Sequence, residues 1–170
     1  MTDTHADQPT ERETPPTEAP SQTEELIVPP AGWLLYASVN AEYRAAVEAF
    51  ALPVPESFTF PDGLPAPAED ERVLYGVGTG LVFAYLAWQD AVHAAAVDAH
   101  RAGDDQAAGY WVEISSRFEA TPVYNAFIDH AAPNPWRDEW IPAARAGDFT
   151  ALAEVVDAAR VASTAAPAAD

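Results

Sequence analysis

The sequence predicts an all-α protein, a small irregular helical bundle of four main helices plus short ones, built around a central helix over 73–101. Three observations predict it. Between Val73 and Arg101, the residues Leu74, Val77, Leu81, Tyr85, Trp88, Val92, Ala95 and Ala99 recur at alternating steps of three and four, which stacks side chains on one helix face. Prolines and capping residues divide the rest of the chain into helix-length pieces. Finally, 170 residues with 49% hydrophobic content can enclose one core but not two comfortable ones.

Residues 1–30 are rich in Thr, Pro and Glu and hold almost no large apolar side chain before Leu26, so they are expected to form a disordered acidic tail. Within it, Leu26 to Val28 is the one segment able to dock on the domain, expected over 31–162. A first helix is expected over roughly 31–50, with Tyr36, Asn40, Tyr43, Val47 and Phe50 on one face and Leu35 and Val39 alongside. Five prolines between Pro53 and Pro67 forbid a helix in the crossover 51–72. Val54, Phe58 and Phe60 would anchor this segment across the helices, as a packed crossover or as the rim of a pocket.

The central helix carries Phe83, Leu86 and Val97 opposite its main stripe, so its first half is apolar nearly all round and calls for neighbours on both sides. Its uncharged stretch, Val73 to Gln89, is seventeen residues long and contains three glycines, short of the roughly 20 apolar residues of a membrane span. Gly103 suits a C-terminal cap, and Asp104 or Asp105 can start the next helix, with Ala107, Trp111, Ile114 and Phe118 on one face. Thr121 and Pro122 read as a cap and first-turn proline for a short helix bearing Val123, Phe127 and Ala131, and Asn134 with Pro135 repeats the device. Pro142 should break the segment 135–146 into two turns around Trp136 and Trp140. Gly147 and Asp148 mark the last restart, and Phe149, Leu152, Val156 and Ala159 line a helix that fades into a disordered end at 163–170.

Charge narrows the function. The chain has 27 Asp and Glu against 8 basic residues, all of them arginine, for a net charge of -19. Such a surface repels phosphate backbones and anionic lipid, so neither nucleic acid nor membrane is an expected partner. Without lysine, Schiff-base and phosphate-loop lysine chemistry is excluded; without cysteine, so are disulfides and thiolates. The N-terminus has neither the basic nor the apolar region of a secretory signal, and a cytoplasmic location is expected.

Motifs that could carry chemistry are sparse. Gly76, Gly78 and Gly80 are spaced GxGxG, not the GxGxxG of a dinucleotide site, and close helix packing accounts for them. Asp90 and His93 form a DxxH pair, half of what a carboxylate-bridged di-metal bundle uses, with Glu42, Glu48, Glu113 and Glu119 on other helices. His93 and His100 lie about 10.5 Å apart along a helix axis, too far to share an ion. No metal or other cofactor is expected. Asp129, His130, Arg137, Asp138 and Glu139 cluster around two proline breaks near Trp136 and Trp140, the arrangement best suited to acid–base work, with arginine to hold an anion. A capped helix end and a solvated turn explain the same residues. No serine has a recognisable base partner in sequence.

Together these features point to a non-enzymatic protein-interaction or accessory module whose partner is a protein, a basic one being the natural complement. The alternative is a small helical enzyme or ligand carrier with its pocket near His130 and Arg137. A third reading is mimicry of nucleic acid, in which rows of carboxylates occupy a basic cleft.

Overall fold

The computed structural model describes residues 30–67 and 73–165. The expected N-terminal tail before Pro30, part of the crossover and the stretch after Ala165 lie outside them. Among the described residues six α-helices and one two-stranded ribbon occur: β1 (Trp33–Leu34), α1 (Tyr36–Glu48), β2 (Tyr75–Gly76), α2 (Thr79–Arg101), α3 (Asp105–Ser116), α4 (Pro122–Phe127), α5 (Ile141–Arg145) and α6 (Thr150–Ala165). No helix among them is long and apolar enough to cross a membrane.

The central helix begins at Thr79 and not at Val73. Its first six expected residues are taken by β2, which pairs antiparallel with β1 in the register Trp33 to Gly76 and Leu34 to Tyr75, and by a turn through Gly78 at φ 88°. The same ribbon delays α1 to Tyr36. Leu74 and Val77, expected on the buried stripe, are therefore exposed. Glu42 of α1 seats the start of α2: its carboxylate accepts from the Gly78 N–H at 3.1 Å and the Gly80 N–H at 3.3 Å, satisfying amides that a helix N-terminus leaves orphaned. Gly80 packs so closely on α1 that an added Cβ would lie 2.6 Å from the Tyr43 nitrogen.

Polar side chains of α1 hold the crossover. Tyr36 Oη donates to Leu64 O at 2.6 Å, Asn40 Oδ1 accepts from the Leu64 N–H at 2.9 Å, and Tyr43 Oη donates to Pro61 O at 3.1 Å. Phe60 stacks edge-on against Phe50 and Phe58, and Trp88 Nε1 of α2 donates to Pro53 O at 2.8 Å. Val54, an expected anchor, is exposed; Pro55 and Leu64 are buried instead.

Antiparallel to α2 lies α3, joined to it at Gly103 (φ 77°) and capped by Asp104, whose side chain accepts from the Ala107 N–H at 2.9 Å. Thr121 caps α4 as its sequence predicts, but α4 ends at Phe127, leaving Phe127 and Ala131 exposed. The segment 136–146 is not two separate turns. A π-helical turn over Trp136–Trp140, closed by the Ile141 N–H on Trp136 O, runs directly into α5. The wider turn carries the chain past the carbonyl that Pro142 would strike in a regular helix.

The main core joins Trp88, Val92 and Val97 of α2 to Val112 and Ile114 of α3, Phe118, Val123, Trp136, Ile141 and, from the last helix, Leu152 and Val156. Val97, on the side opposite the main stripe, is buried in this core as well. Arg101 pairs with Asp157 and Asp98 with Arg160, each at 2.7 Å, so α6 runs antiparallel to the C-terminal half of α2. At 23 residues against 16, α2 spans about 34 Å and α6 about 24 Å. The N-terminal half of α2 therefore has no α6 alongside it, and Phe83 and Leu86 are exposed there.

Trp88 has no exposed surface. Trp88→Ala should lower stability by about 3–5 kcal/mol, read from the urea midpoint. Gly80→Ala should cost about 1–3 kcal/mol by forcing α1 and α2 apart, and the same titration measures it.

Candidate functional site

The hairpin of α2 and α3 brings one polar cluster into the core. His93 and Ser115 stand eleven residues before and after Asp104, at matching depth on the two antiparallel helices. His93 Nε2 is 2.8 Å from Ser115 Oγ. The π turn delivers Trp136 to the same point, and its Nε1–H reaches His93 Nε2 at 3.0 Å and Ser115 Oγ at 3.1 Å. An indole N–H cannot be aimed at another N–H, so Nε2 accepts and the imidazole proton resides on Nδ1. Burial pushes the His93 pKa down to about 4, which keeps the ring neutral.

A serine hydroxyl against an imidazole is the arrangement of a nucleophile and its base. Ser115, however, has no exposed surface, and the indole shares the same hydrogen bonds, so a substrate carbonyl has no approach to Oγ. The trio is a polar tie between three elements. One turn before His93, Gln89 Nε2 is buried without a partner, at a cost on the order of 1–3 kcal/mol.

Beside this tie, α2 and α6 diverge around a cavity of about 530 Å³ lined by Asp90, His93, Ala94, Val155, Val156, Ala159, Arg160 and Ser163. Desolvation at its wall raises the Asp90 carboxyl above the ordinary carboxylate value. Asp90 and His93 thus share one wall, but among the described residues no group of three or more His, Asp or Glu side chains could hold a metal. A second hollow, between α3 and α5, has the Arg145–Glu113 pair at 2.8 Å in its wall, beside His100 stacked on Phe149.

The cluster expected to do acid–base work lies apart from both hollows. Arg137 binds Asp138 through two hydrogen bonds, of 2.6 and 2.9 Å, reaches the carbonyls of His130 at 3.5 Å and Ala132 at 3.4 Å, and also interacts with the Tyr124 side chain. The Arg137 guanidinium and the Asn134 N–H hold the Asp138 carboxyl down at about 2. Asp129 accepts from the Ala131 N–H at 2.9 Å, closing a local turn. The His130 ring meets the edge of Tyr124 at 5.0 Å, and Glu139 is exposed. Arginine and aspartate therefore brace the loop between α4 and the π turn. The His130 imidazole has no hydrogen bond to Asp129 or Glu139 among the described residues.

The glycines of YGVGTG are equally accounted for. The Gly78 and Gly80 amides are bound by Glu42, and the Phe127 ring covers Gly78, so no anion cradle remains. Comparison with protein-family models, with curated proteins and with solved structures finds no significant match.

The buried histidine sets a pH dependence. Its folded pKa of about 4 lies below its ordinary 6.5, so between those values the unfolded chain binds a proton that the folded chain does not. Stability should be complete above about pH 6.5 and fall by about 3 kcal/mol on approach to pH 4. Denaturant titrations at a series of pH values should show this slope in the wild type and lose it in His93→Gln. Asp138, between its ordinary 3.8 and about 2, acts in a lower window.

Proposed function

We propose that this chain is a non-enzymatic interaction module of the cytoplasm that docks a basic protein along the uncovered half of α2. The observation that carries the reading is the stripe Thr79, Phe83, Leu86 and Asp90, spaced four, three and four residues apart on the helix that anchors the whole domain. Phe83 and Leu86 are 43% and 42% exposed, and near the start of the same helix Val77 and Phe127 are 57% and 46% exposed. Phe127 lies over Gly78, so these side chains border one end of α2. An apolar helix face that ends where its covering helix stops is the shape into which a partner's amphipathic helix fits.

Charge supports a basic occupant. Net charge is -19, and four of the arginines are already tied to carboxylates of this chain. A second copy would bring its own negative charge to the same face, whereas a basic segment is steered toward it. A cytoplasmic setting fits a chain that contains no cysteine.

The test compares the wild-type chain with a Phe83→Asp, Leu86→Asp double variant, used as baits in extract of the source cytoplasm at low and moderate salt. A basic protein should be retained stoichiometrically by the wild type, released as salt rises, and at least tenfold depleted on the variant, which should keep the wild-type helical circular dichroism because both sites are partly exposed. Equal retention on both baits would remove α2 as the docking face. Sedimentation showing a dimer that the variant abolishes would assign the face to self-association and overturn the basic-partner reading.

A further inference from the structure

The cavity between α2 and α6 meets the docking stripe only at Asp90, and its chemistry is specific. Its volume of about 530 Å³ falls within the roughly 300–1,000 Å³ of small-molecule sites. Ala94, Val155, Val156 and Ala159 make much of the wall apolar. Among its polar lining residues only His93 is buried, with 5% of its surface exposed.

That histidine is committed on one edge. Nε2 accepts from Trp136 and meets Ser115, so the second ring nitrogen carries the hydrogen. Among the described residues the His93 hydrogen bonds run through Nε2 and none reaches Nδ1, while the residue forms part of the cavity wall. A donor in an apolar wall, held in orientation by two buried partners and lacking an acceptor, is complementary to a ligand oxygen. The oxygen should be neutral. Asp90 stands on the same wall, Arg160 at the rim is already paired with Asp98 at 2.7 Å, and the whole chain is strongly negative.

We infer that this cavity binds a neutral, largely apolar small molecule through a carbonyl oxygen that accepts the Nδ1–H of His93. The apolar body lies against the alanines and valines of both helices, and the carbonyl supplies orientation. Such a ligand leaves the tie to Ser115 and Trp136 intact.

Benzophenone serves as the probe, with diphenylmethane as its hydrocarbon analogue and diphenylacetate as an anionic one. With the full chain, titration followed by nuclear magnetic resonance should show benzophenone binding at least tenfold more tightly than either analogue and displacing the His93 ring resonances. Irradiation of the complex should attach benzophenone to residues of α2 and α6. Ala159→Phe, which fills the cavity from an exposed position and leaves the polar tie in place, should abolish both effects without altering the helical circular dichroism. Phe83→Asp with Leu86→Asp should leave them unchanged, which separates this site from the docking face. Equal affinity for benzophenone and diphenylmethane would overturn carbonyl recognition by His93. Absence of binding, or attachment that persists in Ala159→Phe, would overturn the site itself.

Discussion

The seating of α2 on α1 is the contact on which the other elements depend. A helix that is apolar on most of its circumference has no preferred rotation until something fixes its first turn, and here Glu42 and Gly80 do so together. The carboxylate answers the positive end of the helix, and the missing side chain lets the two backbones meet. With that rotation set, Trp88 and Val92 turn toward α3 and the crossover, and Asp98 and Arg101 turn toward α6. Exposed ion pairs alone would hold α6 weakly, since such pairs contribute about 0–1 kcal/mol each. Leu152 and Val156, buried against the core, supply the larger share.

The helical character, the four main helices and most of their caps were legible in the sequence, because a cap is a local matter. Gly103 with Asp104, Thr121 with Pro122 and Gly147 with Asp148 each act within one turn of their own position. The start of the central helix was not legible, since its apolar period runs unbroken back to Leu74. What stops the helix is a strand pairing with residues some forty positions earlier. Pro142 misled for the opposite reason: its clash is a property of the α-helix, and the chain evades it by widening one turn.

The polar tie had a signal that periodicity alone passes over. Once Gly103 and Asp104 are read as the bend of a hairpin, residues equidistant from it face one another, and His93 meets Ser115. Trp136 could not be placed the same way, because its approach depends on the π turn. The cluster around His130 shows the converse. Residues adjacent in sequence suggested a shared site, yet short side chains near a bend satisfy local backbone groups first, as Asp129 does with Ala131.

The unequal lengths of α2 and α6 also shape the dynamics of the domain. From Asp157 to Ser163 α6 shows most of its surface to solvent, and two exposed ion pairs tie it to α2 there beside a hollow. Few buried contacts back its hydrogen bonds, so this end of α6 opens at a lower free energy than the hairpin beneath it. The part of the cavity wall made by Ala159, Arg160 and Ser163 thus belongs to a segment that opens before the core melts, and amide exchange there reports a local event while exchange around Val92 and Val112 reports the global one.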